Sequence, residues 1–268
     1  MKRVLGHVLA ALALLAGGGV VVLACAHDDS TVFVSNVLAP QLVSNGNTCV
    51  YTNQPNQTFI TSGVVDIALT QSYAAWYLVG NQTVPRGDPN TPTTETSYVT
   101  IQGAVVRITD SQGKQIRTYT TLTSATIAPS SGALPSYAPV LVTTLDPATL
   151  TDLALVNAVS LGGIKRLVTY VRFFGKTLGG LSIESNEFSF PVDVCAACLI
   201  RITQQDINPD PRLPQPNCFG NASGSSQNLP IPCFPGQDTS LDCSQCLGNP
   251  ACLGPAAFPG LVLDAGGG

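Results

Sequence analysis

Between residues 30 and 194, apolar side chains recur at every second position over many short stretches. That period puts one face of a strand on a core and the other in water. Phe188, Phe190, Val192 and Val194 fall on one side of such a strand, with Glu187, Ser189 and Asp193 on the other. Val65, Ile67 and Leu69 alternate in the same way with Asp66, Ala68 and Thr70. Around Gly103 the phase changes: Val99 and Ile101 take odd positions, Ala104, Val106 and Ile108 even ones. One extra residue at a glycine produces that change, so a β-bulge is expected there. Further strands are predicted over 31–34, 74–79, 115–121, 140–145, 167–174 and 181–185. Turn residues separate them at Asp110-Ser111-Gln112-Gly113, Gly175-Lys176 and Gly179-Gly180. One helix is predicted after Asp146, which can cap it, with Pro147 in the first turn and Leu150, Leu153 and Val156 at helical spacing.

Eight or more short strands at this spacing indicate a mainly β domain, an antiparallel β-sandwich that resembles the immunoglobulin and fibronectin types. The two core cysteines that bracket a tryptophan in antibody domains are missing. Trp76 is expected to pack a core or an edge instead. Near Cys195 the composition changes: residues 195–268 hold seven of the nine cysteines and half of the 20 prolines. Runs such as Asn208-Pro209-Asp210-Pro211 cannot fill a core, so this loop-rich C-terminal extension must be held by its bridges. The expected domains are a β-sandwich over 30–194, a Pro- and Cys-rich extension over 195–262 and a tail over 263–268.

The N-terminus follows a different pattern. Lys2 and Arg3 precede an apolar run from Val4 to Ala24 broken by His7, the charged-then-apolar order of a secretory signal. The run closes on Val22-Leu23-Ala24-Cys25, which resembles the lipobox of bacterial lipoproteins. That resemblance implies removal of residues 1–24 as a signal peptide, a diacylglycerol on the Cys25 thiol and an acylated amino group on a lipidated N-terminus, 25–29. Several acyl chains anchor firmly, because each buried methylene adds about 0.8 kcal/mol. Ala26 follows the cysteine where many inner-membrane lipoproteins carry aspartate, so the resemblance implies the outer membrane. The competing reading is an uncut transmembrane helix, weakened by Gly17-Gly18-Gly19 because interior glycine costs a helix up to about 1 kcal/mol.

With the signal removed, eight cysteines remain: Cys49, Cys195, Cys198, Cys218, Cys233, Cys243, Cys246 and Cys252. In an oxidising compartment an even number reads as four disulfides. The alternative is a zinc site from Cys195-x-x-Cys198 and Cys243-x-x-Cys246, disfavoured by export. If the strand ran on from Cys195 to Cys198, their Cα atoms would stand about 10 Å apart, beyond the roughly 7 Å limit for a bridge, and each would pair elsewhere. Because seven is odd, one cysteine of the extension should reach Cys49. The layout of lipobox, sandwich and Cys-rich end is similar to envelope lipoproteins of predatory and gliding bacteria such as the myxobacteria. The likeness bears on location and architecture only.

Charge and chemistry narrow the function. Without Lys2 and Arg3, 10 basic residues face 16 acidic ones, and no basic block suggests nucleic acid as a partner. Of the two histidines, His7 leaves with the signal and His27 lies beside the anchor, so no Ser-His-Asp machinery or histidine metal site is expected. Asp66, Glu95, Asp110, Glu184, Glu187 and Asp193 could pair for glycoside hydrolysis, but solvated acids are ordinary in strands and turns. Asp206 with Asp210, or Asp238 with Asp242, could hold calcium weakly, although turn formation accounts for them. Asn56-Gln57-Thr58, Asn81-Gln82-Thr83 and Asn221-Ala222-Ser223 match the glycan acceptor pattern and read as exposed loops. Tyr73, Trp76 and Tyr77 could form a stacking face for sugar or peptide if exposed, but their apolar neighbours point to burial. The expectation is a non-enzymatic envelope protein without cofactor, held to the membrane by lipid, with an envelope protein or polysaccharide as partner. A carboxylate-dependent hydrolase acting on glycans is the alternative.

Overall fold

The computed structural model describes residues 30–42, 48–87, 95–160, 162–202, 218, 232–246 and 252. Cys25, the signal segment 1–24, Asp206, Asp210, Asn221 and the tail 263–268 lie outside these residues. The protein is mainly β, with several antiparallel sheets and disulfides. Among the described residues one sheet has four strands. In spatial order these are β4 (Phe59–Ile60), β1 (Val32–Leu38), β6 (Tyr73–Asn81) and β9 (Ser136–Leu145). The other runs β5 (Gly63–Asp66), β12 (Phe188–Cys195), β10 (Lys165–Thr177), β7 (Val99–Asp110) and β8 (Gln115–Ile127), with β11 (Ser182–Glu184) added to β10. All these pairings are antiparallel except β5 with β12, which is parallel. Two small ribbons complete the set: β2 (Gln41–Leu42) with β3 (Cys49–Val50), and β13 (Ile200–Arg201) with β14 (Leu241–Asp242).

The alternating apolar positions converge on one core shared by both sheets. Val32, Val37, Ala75, Tyr77, Val79, Val140 and Val142 from the smaller sheet meet Ile101, Val106, Ile108, Leu167, Val171, Phe173, Phe190 and Val192 from the larger. Tyr77 sits edge-on to Phe173 at 5.8 Å and to Phe188 at 6.0 Å. Each fully buried side chain of this size contributes about 1.5–3 kcal/mol by leaving water. The expected bulge is present: registry with both neighbours shifts between Ile101 and Gly103, and Gln102 points out. The free edges of β8 and β9 are joined by side chains, Tyr119 Oη donating to Thr143 O (2.8 Å) and Thr123 Oγ1 to Leu141 O (2.8 Å). Hydroxyls thus occupy carbonyls that an exposed edge would offer to another chain.

Three local expectations are corrected. The strand at Val65 ends at Asp66, and Ile67 to Leu69 form a turn closed on the Asp66 carbonyl. Gly175-Lys176 is no turn but part of β10, where the lack of a Cβ lets Gly175 lie against the Thr100 backbone. The single helix is two, α1 (Pro147–Leu150) capped by Asp146 and α2 (Leu153–Val159) capped by Asp152. The Asp152 carboxylate takes the amides of Ala154 and Leu155, so a new helix starts there and buries Leu155 and Val159, leaving Leu153 77% exposed.

Candidate functional site

The extension returns to the domain at the outer edge of β5. Gln237 forms an antiparallel bridge with Val65, Asp66 N donates to Gly236 O and Asp238 N to Val64 O (2.9 Å each). Gln237 is buried, accepting from Ala74 N (3.1 Å) and donating to Ser72 O (3.0 Å), which ties the start of β6 to the same plug. Asp238 stands at the surface with a left-handed φ of 57°, but its carboxylate reaches inward to Val64 N (2.8 Å) and the Tyr73 hydroxyl (2.9 Å). Any Cβ on Gly63 would collide with that phenol. Desolvation raises the Asp238 carboxyl above its usual range against those two donors. Tyr73, buried beneath it, is pushed well above the ordinary tyrosine value.

Beside this plug, Asp66 organises the end of β12. Its carboxylate accepts amides from Ala68 (3.0 Å), Ala197 (2.7 Å) and Leu199 (2.9 Å), and the residue is sealed from solvent. Burial raises its carboxyl above the usual range, and those amides oppose the shift. The amide contacts hold the loop Cys195-Ala196-Ala197-Cys198, in which Ala197 has a φ of 60°. That left-handed turn corrects the expectation of a continued strand: the chain folds back, and Cys195 and Cys198 pair with Cα atoms 5.9 Å apart. The remaining bridges are Cys49–Cys233, Cys218–Cys243 and Cys246–Cys252, with Cα separations of 5.8, 5.4 and 6.1 Å. Cys49–Cys233 staples the extension to the domain. The two C-x-x-C pairs do not share a metal centre, since Cys243 and Cys246 have partners of their own. Asp66, Cys195 and Cys198 offer ligand atoms within 4.8 Å of one another, but both sulfurs are consumed by their mutual bond.

The aromatic face divides. Tyr73 and Tyr77 are fully buried, whereas Trp76 is half-buried and covered by Tyr51, whose ring stacks on it at 4.9 Å. Burial, with the Asp238 charge adding to it, pushes the Tyr51 phenol up to about 12. The cleft beside this pair, bounded by Pro40, Ile60 and Phe234, has a cavity volume of about 20 Å³. That is room for about one water and excludes a sugar ring.

An exposed, ordered surface lies elsewhere, on the outer face of β12, β10 and β7. The Arg107 guanidinium covers the Tyr170 ring at 3.9 Å and grips Glu187 with two bonds (2.7 and 3.3 Å). Arg166 grips Asp193 with two bonds of 2.7 Å, and Arg172 meets Glu184 at 3.1 Å. Val105, Val168, Phe174 and Pro191 lie half-buried between these pairs. The arginines hold Glu187 and Asp193 below the usual carboxylate range.

The six acids considered for hydrolysis are thus employed within the chain. Besides Asp66 and the ion-paired Glu184, Glu187 and Asp193, Asp110 accepts the turn amides of Gln112 and Lys114. Glu95 is 1% exposed rather than solvated and takes the amides of Gly87, Arg86 and Ser97, which hold it low. Asp242 accepts from Ser244 N, apart from the partners of Asp238. Asn81 is not in an exposed loop: it is buried, donating to Ser97 O and Ala128 O and accepting from Thr83 N. Sequence reasoning missed the buried roles of Asp66, Asn81 and Gln237. No protein-family model matches the chain, and no curated protein matches it. Among the described residues no helix is long and apolar enough to cross a membrane.

Proposed function

We propose that this protein is a lipid-anchored envelope lipoprotein that binds a partner without catalysis. Cys25 is its anchor, and the outer face of β12, β10 and β7 is its contact surface. The observation that carries the reading is that face: Tyr170 lies under Arg107, flanked by ion-paired arginines and half-buried aliphatic groups. Tyrosine and arginine are the side chains that dominate binding energy at protein interfaces, because each combines a broad apolar body with directed polar groups.

The finer fold assignment, an immunoglobulin- or fibronectin-type sandwich, belongs to the same proposal. It is supported by strand order. Taken in chain order, β1, β6 and β9 sit together as strands A, B and E do, and β12, β10 and β7 as G, F and C do. Four disulfides fit an oxidising address outside the cytosol, in the periplasm or on the outer membrane surface.

The test is cross-linking in living cells followed by capture on the C-terminal end, comparing the natural chain with the double variant Arg107→Ala, Tyr170→Ala. One abundant envelope protein or polysaccharide, lost in the variant, is the expected result. Equal capture by both forms would remove this face from the proposal. Cys25→Ser should release the chain from membranes, and unchanged retention would favour the uncut helix.

A further inference from the structure

We propose that the Cys195–Cys198 bridge is an exchangeable disulfide that oxidises a protein dithiol, unlike the three bridges that hold the extension. The first observation is access. Of the eight bridged cysteines, Cys198 alone is exposed, while its partner Cys195 is 2% exposed. Of the two bridged residues only Cys198 is open to solvent, so the attack of an incoming thiolate is assigned to its sulfur, because access decides which sulfur is attacked.

The second observation is that the buried side is ready for the reduced state. Cys195 Sγ lies 3.5 Å from Val65 O, so a thiol formed there finds an acceptor already in place. The Asp66 carboxyl is within 4.8 Å of both sulfurs and holds the loop through the Ala197 and Leu199 amides. The third is strain in the backbone: Ala197 is one of two non-glycine residues with positive φ among the described residues. Reduction frees a four-residue loop from that conformation without loosening the core, because the other bridges and the β5–β12 pairing are untouched.

The step balances as follows. A partner thiolate attacks Cys198 Sγ, forming a mixed disulfide and breaking the Cys195–Cys198 bond. The Cys195 thiolate takes a proton from solvent as the opened loop admits water, and the thiol then donates to Val65 O. The partner's second thiolate attacks its own sulfur in the mixed disulfide and releases Cys198, which is protonated from solvent. Two electrons pass from the partner to this protein, and the partner leaves as a disulfide.

The test uses the full natural chain, folded in detergent and equilibrated in dithiothreitol buffers of graded dithiol-to-disulfide ratio. Free thiols are then blocked and located by peptide mass. Cys195 and Cys198 are expected to become reactive together, at a ratio at least tenfold lower than any other pair requires and with the β-sheet circular dichroism intact. Opening of all four bridges together, or of Cys195–Cys198 last, would overturn the proposal. In the single variants, glutathione disulfide should cap Cys198 of Cys195→Ser at least tenfold faster than Cys195 of Cys198→Ser. Equal rates would overturn the assignment of the attacked sulfur.

Discussion

The domain and its extension are held by opposite means. The strands of the two large sheets take their order from one apolar core, where tyrosine, phenylalanine and branched side chains of both sheets interlock. The described part of the extension has a far smaller cluster, Leu241, Cys246 and Cys252 with Leu69 and Ile200 against them. It stays in place by bridges and by polar plugs, chiefly Gln237 and Asp238. A proline-rich segment can thus be fixed where packing is thin, provided that cross-links limit its freedom and each backbone group it covers finds a partner.

The sharpest way to break this comparison is to remove the staple. The Cys49–Cys233 bridge closes a loop of 184 residues, and the loop-closure model assigns such a bridge about 5 kcal/mol. The double variant Cys49→Ser, Cys233→Ser should lose about that much in denaturant unfolding, with native circular dichroism preserved. Trp76, the one tryptophan, should change its fluorescence, since Tyr51 and Cys233 flank it. An unchanged midpoint would mean that the Gln237 and Asp238 contacts hold the extension unaided.

The converse change strikes the domain. Phe173 is fully buried against Tyr77, and Phe173→Ala should cost about 3–5 kcal/mol, most of it as a cavity that the close-packed sheets cannot refill. All four bridges should remain oxidised in the folded fraction, which thiol counting checks. A loss below about 1 kcal/mol would mean that the bridges, not the core, carry the domain.

What could be read from the chain follows the same division. Period-2 alternation marked β12, β7 and its bulge at Gly103, because burial of one strand face leaves a local signature. The odd cysteine count pointed to a link from the extension to Cys49. No local signature distinguishes a carboxylate that floats in water from one that receives three amides, so Asp66 and Glu95 looked like ordinary surface acids. Their partners come from distant segments or from turns. The Cys195–Cys198 pairing depended on a left-handed alanine, a conformation that sequence does not announce. Two capping aspartates six residues apart, Asp146 and Asp152, did carry a signal for a split helix.

A subtler contrast concerns acid. Asp66 at the seam has a raised folded value, so the stability it contributes is complete below the ordinary carboxylate value near 4 and is lost as pH rises through the folded one. Glu187 and Asp193 on the outer face are lowered, so theirs is present above the ordinary value and lost as pH falls. Asp66→Asn should cost about 1–3 kcal/mol, because its amide nitrogen turns a donor toward one of the buried backbone amides. The deficit relative to the natural chain should be larger at pH 4 than at pH 7. A deficit that grew with pH would mean that Asp66 acts in the fold as a charge rather than as a proton holder.

The smallest expected effect is the one that separates stability from binding. Arg166 is 55% exposed along its side chain, and an exposed ion pair adds little to stability because solvent screens it and ordering two long side chains costs entropy. Arg166→Ala should therefore leave the denaturation midpoint nearly unmoved. If the outer face is a contact surface, the same substitution should still weaken partner capture, since a guanidinium already fixed by two bonds to Asp193 meets a partner without further ordering. A variant that lost stability and kept its partner would assign the arginine ladder to the fold. The binding surface would then have to lie on another part of the molecule.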